Sequence, residues 1–273
     1  MNEAQNLTMT NEKFPWVVFR LEDGFFALSS HCVQAMISVF DVKPIPGDSQ
    51  DLRGVINHAN QVFCLVDMRK KIGLKSVAAE IREFADLMDA REQDHKKWLN
   101  TLEECIQQGK EFTLAINPAK CRFGLWYDDY MPKVKNNNLA FWLKKFDVPH
   151  KKIHGIAEKT SALVLAGEKD KAIQLIEETR NKELKAMINL FAKIKLIYQS
   201  TQREIAIVID PNFTRQPLAL LVDEVIIVRN LPEENWQKID RHLRSESGKL
   251  ISGFGQFSEI ESLVMTLDIA CFA

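Results

Sequence analysis

Two textures alternate along this chain. Residues 14–75 carry short β-branched and aromatic runs: Trp16-Val-Val-Phe19, Gly24-Phe-Phe-Ala-Leu28 and Val62-Phe-Cys-Leu-Val66. Turn signals at Asp23-Gly24 and Pro44-Ile-Pro-Gly47 separate them. Residues 203–273 return to the same texture in Glu204-Ile-Ala-Ile-Val-Ile209, Leu218-Ala-Leu-Leu-Val222 and Leu263-Val-Met-Thr-Leu267. Short strands spaced in this way predict small barrels or sandwiches. The middle of the chain changes period. From Val77 the apolar positions fall at Val77, Ile81, Phe84 and Met88, then at His95, Trp98, Leu102 and Cys105, with Arg91 filling the one gap. Steps of three and four predict a long helix whose seam faces other helices and which stops near Gly109. A second long helix is predicted from about Lys169 to Tyr198, its stripe made by Ile173, Ile176, Leu184, Met187, Phe191, Ile194 and Tyr198. A third covers roughly Leu139 to Leu165. Long amphipathic helices with short connections predict an antiparallel bundle.

The two ends also resemble each other. Residues 25–37 align with 217–228, Arg53-Gly54-Val-Ile with Ile251-Ser-Gly253-Phe, and Val62–Asp67 with Leu263–Asp268. The gaps from Gly to Asp are 13 and 15 residues. An order of strand, Gly, strand, Asp used twice predicts two similar β units related by a pseudo-twofold axis. The helical segment then reads as an insertion between the halves of one β protein.

Composition narrows the classes. A length of 273 residues predicts two or three packed units, and 46% hydrophobic with 27% charged residues excludes disordered and fibrous chains. The net charge is −1, so no bulk field attracts nucleic acid or anionic lipid. By segment the balance is 0 over 1–75, +3 over 76–200 and −4 over 201–273, with both signs interspersed. The first thirteen residues are polar, and no apolar run approaches the length of a membrane span. Five cysteines without a CxxC are no disulfide framework, which predicts a reducing cytoplasm.

The chemistry concentrates in the helical segment. His150 and His154 stand at i and i+4, which puts both imidazoles on one helix face. One Zn²⁺ can bridge that spacing. His95 occupies a seam position, where an unpaired polar ring is costly. Between the helices lies Cys121-Arg-Phe-Gly-Leu-Trp-Tyr127. This heptapeptide, with the order His95, Cys121, His150, His154 and Trp98 three residues after the first His, resembles the chemoreceptor zinc-binding (CZB) family over about residues 78–198. The resemblance implies that His95, Cys121, His150 and His154 hold a zinc ion inside a four-helix bundle, with a role in zinc or oxidant sensing. The donor chemistry agrees: imidazole and thiolate suit Zn²⁺ better than Mg²⁺ or Ca²⁺, and four protein ligands close a site. A zinc protease needs Glu after the first His of HExxH, and here Lys151 follows. Trp98 and Trp126 are expected to pack around the site. Cys32, Cys64, Cys105 and Cys271 are expected to be small buried residues.

The flanks resemble the CheW family of chemotaxis coupling proteins over about 14–75 and 203–273. The residues that carry this are Leu52-Arg-Gly-Val-Ile-Asn57 with Val62–Met68, Pro44–Gly47 before them and Leu218–Val225 after the insertion. The resemblance implies two small β-barrels around one core and a scaffolding role between chemoreceptor tips and a histidine kinase. One departure stands out. Where the family continues from the Asn to a second Arg-Gly pair, in a stretch associated with partner contact, this chain has His58-Ala59-Asn60-Gln61. The expected fold is therefore α+β: two CheW-like β-barrel subdomains with an inserted antiparallel four-helix bundle, divided as 14–75, 76–200 and 201–273. The expected function is a non-catalytic, cytoplasmic, zinc-binding signalling scaffold. Its partners are a chemoreceptor or histidine kinase, without nucleic acid or membrane insertion. A zinc-stapled structural or storage protein and a zinc hydrolase are the alternatives. Apolar residues nearly all round the helix at Phe141–Phe146 and Leu163–Leu165 predict a homodimer through residues 76–200.

Overall fold

The structure, a computed structural model, describes residues 14–39, 41–46, 51–239 and 250–272. Gly47 of the Pro44–Gly47 turn signal lies outside them. Contacts divide the chain into a discontinuous unit, Met1–Ser76 with Arg203–Ala273, and a continuous one, Val77–Gln202.

The discontinuous unit is built on two β-sheets. Its strands before the helical unit are β1 (Trp16–Leu21), β2 (Gly24–Ser29), β3 (Val33–Ser38), β4 (Leu52–His58) and β5 (Gln61–Asp67), followed by the short helix α1 (Met68–Lys71). Those after it are β6 (Ile205–Ile209), β7 (Leu218–Val222), β8 (Glu224–Arg229), β9 (Trp236–Lys238), β10 (Ile251–Gly255) and β11 (Val264–Leu267). One sheet runs β8-β1-β2-β11-β10-β9 and the other β3-β6-β7-β5-β4. Both orders are open from edge to edge among the described residues. β7 is buried along its whole length, as is β6 beyond its first residue. Burial on both faces explains why these strands read as continuous apolar runs rather than alternating ones.

The duplicated sequence order corresponds strand for strand to this topology. β1, β2, β3, β4 and β5 occupy the same relative places as β6, β7, β8, β10 and β11. In each repeat the first two strands form an antiparallel pair. The third strand crosses to the edge of the other sheet: β3 pairs with β6, and β8 with β1. The final hairpin returns in parallel, β11 beside β2 and β5 beside β7. Neither half of the chain makes a sheet of its own, which the sequence pattern did not anticipate. Each hairpin's open edge is filled by a strand of the other half, and this exchange leaves fewer unpaired backbone groups.

The repeated glycine has a steric cause. The ladder slips between Leu52 and Gly54 on β4 and between Ile251 and Gly253 on β10. A Cβ on Gly54, at φ +145°, would run into the Lys43 carbonyl, and one on Gly253 would meet the Gln237 carbonyl. Each repeat then closes on an aspartate cap. Asp67 accepts from the Lys70 N–H at 3.2 Å and Asp268 from the Ala270 N–H at 3.1 Å.

The departure from the family's Arg-Gly pair falls at the tip of the β4–β5 hairpin. His58 pairs with Gln61, and Ala59 and Asn60 make the turn at φ 50° and 64°. Positive φ at both central residues is the mark of a type I′ turn, in which Asn tolerates the geometry and Ala does not. An Ala59→Asn/Asn60→Gly variant is expected to stabilise the β unit by about 1 kcal/mol, read as an upward shift of its urea midpoint.

The continuous unit is helical: α2 (Val77–Gln108), α3 (Arg122–Tyr130), α4 (Asn137–Lys144), α5 (Asp147–Leu165), α6 (Lys169–Thr179) and α7 (Lys185–Thr201). α2 buries Val77, Phe84, Met88, His95, Trp98 and Leu102 of the seam read from the sequence, together with Leu99, while the seam residues Ile81 and Cys105 are half-buried. Two elements differ from the sequence reading. The helix expected over Leu139 to Leu165 is two helices, broken at Lys145 and Phe146. Pro149 has no N–H to return to the Lys145 carbonyl, and its ring crowds that position, so the helix restarts at Asp147. The helix expected over Lys169 to Tyr198 is continuous in direction but carries a π turn at Arg180–Leu184. Buried positions step from Ala172 to Ile176 and Thr179, then five residues to Leu184, then to Met187, Phe191 and Ile194. The five-residue step is the π turn. Nearby carbonyls are taken by side chains, Leu175 by the Thr179 hydroxyl and Glu177 by the Asn181 amide. Among the described residues no helix is long and apolar enough to cross a membrane.

Candidate metal centre

Four side chains from three helices converge. His95 comes from the middle of α2, Cys121 is the N-cap of α3, and His150 and His154 lie one turn apart on α5. Their ligand atoms all fall within 4.8 Å of one another. The three imidazoles meet edge to face, with centroids 4.8 to 5.7 Å apart. His95 is 2% exposed, His150 7% and His154 1%, so the cluster is closed to bulk water on the histidine side.

The backbone sets the tautomers. His95 Nδ1 lies 2.7 Å from the Arg91 carbonyl, and His154 Nδ1 lies 3.0 Å from the Ala115 carbonyl. A carbonyl can only accept, so each Nδ1 carries the proton and each Nε2 presents its lone pair. Both of those Nε2 atoms are buried without a hydrogen-bond partner among the described residues. Such orphans are costly in an apolar wall. A metal ion is the partner that suits them, because outer hydrogen bonds of this kind are what orient metal-binding histidines. The same Ala115 carbonyl accepts from the Trp98 indole N–H at 2.9 Å, so Trp98 positions the loop that fixes His154. Trp98 thus does pack beside the site, 4.9 Å from the His154 ring. Trp126 stands farther out, stacked on Tyr130 and touching Phe123.

Cys121 is held by the turn it begins. Its sulfur accepts from the Gly124 N–H at 3.2 Å and sits 3.1 Å from His150 Nε2. The sequence treated Cys121 as part of a connection. It caps a nine-residue helix, α3, whose Phe123 packs against His95, His150 and Phe191. Burial raises the Cys121 thiol above its ordinary pKa. Burial also lowers His95, takes His150 down to about 3 and His154 to about 4. The rings are therefore neutral donors at pH 7, the form that binds metal. Donor set, protonation and orphaned atoms all fit a zinc ion. Arg91 and Ala115, whose carbonyls orient two of the rings, were missed from sequence because a backbone oxygen leaves no residue signature.

The other cysteines do not form a uniform buried class. Cys32 is buried, whereas Cys64 and Cys105 are half-buried and Cys271 is exposed. Cys271 lies on the short 3-10 helix Ile269–Phe272 that follows β11.

The histidine shifts imply an acid weakness in metal-free protein. An unfolded histidine titrates near 6.5, while folded His150 and His154 resist protonation to about 3 and about 4. Below 6.5 the unfolded chain takes up protons that the native cluster refuses, so unfolding gains. This stabilising contribution is full above pH 6.5, falls as the pH drops, and is gone below the folded values. Thermal unfolding of chelator-treated protein between pH 7.5 and 4.5 is expected to show a falling midpoint. A His150→Ala/His154→Ala variant should show a shallower decline.

Two family models match parts of the chain. The family model described as CheW-like domain matches residues 15–93, and that described as chemoreceptor zinc-binding domain matches residues 95–160. The zinc-binding match contains all four clustered residues. The CheW-like match runs on into α2, and residues 203–273 lie outside both. The crystal structure of scaffolding protein TtCheW from Thermoanaerobacter tengcongensis is similar over 93% of this chain and 88% of that one, at 9% identity and a TM-score of 0.42. No curated protein matches. The chain combines a CheW-like domain with a chemoreceptor zinc-binding domain that follows it in sequence.

Proposed function

We propose that this chain is a non-catalytic coupling scaffold of a chemotaxis-type pathway whose docking responds to the state of a zinc centre. His95, Cys121, His150 and His154 are its ligands. The observation that carries this reading is the pair of buried, unpartnered Nε2 atoms facing the Cys121 and His150 side chains. Bound zinc would cross-link α2, α3 and α5 and keep the sulfur as thiolate. Four protein donors leave no open position for substrate, and no carboxylate belongs to the cluster, so hydrolysis is disfavoured.

The β unit supplies the docking surface. CheW-like domains couple chemoreceptors and kinase in chemotaxis, and residues 15–93 match that family. The strand-for-strand repeat supports reading 203–273 as the second half of the same domain, and the two sheets as its two barrels. The helical unit is then an insertion, with the character of a four-helix bundle. A peroxide that reaches Cys121 would oxidise it to the sulfenic acid, the sulfur attacking one peroxide oxygen as the O–O bond breaks and water leaves, and this would remove one donor reversibly.

The test is affinity for a chemoreceptor tip or kinase regulatory domain, measured with zinc and with chelator, for wild type and Cys121→Ser. Coupling of ~1–3 kcal/mol gives a change of about 5- to 150-fold in wild type and a much smaller one in the variant. Equal affinity in all four states reduces the zinc to a staple.

The helical unit also carries large exposed apolar side chains: Phe141 at 53%, Val148 at 60%, Leu196 at 64% and Leu165 at 86% exposure. They support a homodimer through this unit. Light scattering at tens of micromolar is expected to give twice the chain mass.

A further inference from the structure

A cavity of about 260 Å³ opens beside the cluster. His95, Cys121, His154, Trp98, Leu114 and Phe123 are among the residues that line it. Two of these residues, His95 and His154, are at least 98% buried and carry unpartnered Nε2 atoms. Charges ring the mouth: Lys97, Lys120 and Arg122 against the single acid Asp94. Asp94 is already compensated, held by Arg91 at 2.8 Å and by Arg122 at 3.6 Å. Lys97 and Lys120 are exposed and form none of the ion pairs found among the described residues. The mouth is therefore net positive in a chain that is nearly neutral. A concave, low-dielectric opening lined with one sign of charge concentrates ions of the other sign.

We infer that this cavity is an anion-selective port through which small anionic, thiol-reactive molecules reach the sulfur of Cys121. Neutral molecules of the same size pass without that preference, and cations are repelled. The inference rests on Cys121 belonging to the metal cluster. It is tested through thiol chemistry, so it fails separately from the zinc assignment, which stands or falls on metal content.

The probes are an anionic aromatic disulfide, dithiobis(nitrobenzoate), and a neutral one, dithiodipyridine, applied to zinc-free full-length protein. In either reaction the thiol proton goes to solvent and the Cys121 sulfur attacks the probe's S–S bond. A mixed disulfide forms as that bond breaks, and the leaving thiolate takes the electron pair. Peptide mapping by mass spectrometry reads Cys121 separately, with exposed Cys271 as an internal reference. The anionic-to-neutral rate ratio at Cys121 is expected to fall about tenfold in a Lys97→Glu/Lys120→Glu variant, with Cys271 unchanged. Zinc content and helicity of the variant check its fold. If the variant fails to fold, salt decides: raising ionic strength in wild type must reduce the ratio at Cys121 more than at Cys271. A ratio at Cys121 indifferent to both the substitutions and salt overturns the port.

Discussion

Purified with zinc in the medium, this protein is expected to carry about one zinc ion per chain by elemental analysis, and a His150→Ala/His154→Ala variant to carry none. The two rings leave one face of α5 a turn apart, so the variant removes two donors together. It keeps the Ile153, Ile156 and Ala157 face that packs α5 into the helical core. Alanine suits a helix interior, so the backbone of α5 has no reason to change. Stoichiometric zinc in the folded variant would refute the ligand set. Chelation of wild type should act locally. It leaves the His95 and His154 Nε2 atoms, buried without partners, facing Phe123 and the other aromatic walls. Each such orphan costs about 1–3 kcal/mol. All four donors lie on α2, α3 and α5, so amide exchange there should rise while β6 and β7 stay protected. Equal deprotection of the sheets would rule out a local effect.

Much of this was legible before any coordinate. The α2 seam appeared as a run of three- and four-residue steps because one helix face is largely buried between Val77 and Leu102. The cluster was legible because zinc needs donors of particular kinds, and His95, Cys121 and an i, i+4 histidine pair are such donors, which the fold brings together. The duplicated Gly and Asp showed the repeat because a ladder slip and a cap each demand one residue type. What stayed hidden was pairing. Alternation tells which face of β3 or β8 is apolar, and nothing in it tells that each strand crosses to the other half's sheet. The break before Asp147 was hidden too, since Pro149 is tolerated in a first helical turn and the apolar stripe runs on from Leu143 to Phe146. Helix α3 was taken for a connection because its nine residues span too few turns to establish a period.

The role of Gly124 was not read from the motif at all, and even a single methyl group there is expected to be costly. Gly124 is buried in the first turn of α3, three residues after Cys121, and its N–H is the donor that holds the Cys121 sulfur. The segment Asn117–Lys120 runs directly across it. A Cβ at 124 would collide with the Pro118 carbonyl, with Ala119 Cα and the Pro118 carbonyl carbon next nearest. These are backbone atoms in a turn capped by the Asn117 side chain, so no rotamer relieves the clash. Either the turn or the start of α3 has to move. Moving α3 carries Cys121 away from His150 and shifts Phe123 out of the wall it shares with His95 and Phe191. Gly124→Ala is expected to cost about 3 kcal/mol of helical-unit stability by overpacking. It should also weaken zinc binding about 10- to 100-fold by loosening the group that orients a ligand. A competition titration against a chromophoric chelator measures the second effect, and thermal unfolding of zinc-free protein the first. Leu125→Ala, one residue on and exposed, is the control and should change neither. Wild-type zinc affinity in Gly124→Ala would show that the contact of α3 with Pro118–Ala119 does not place the sulfur.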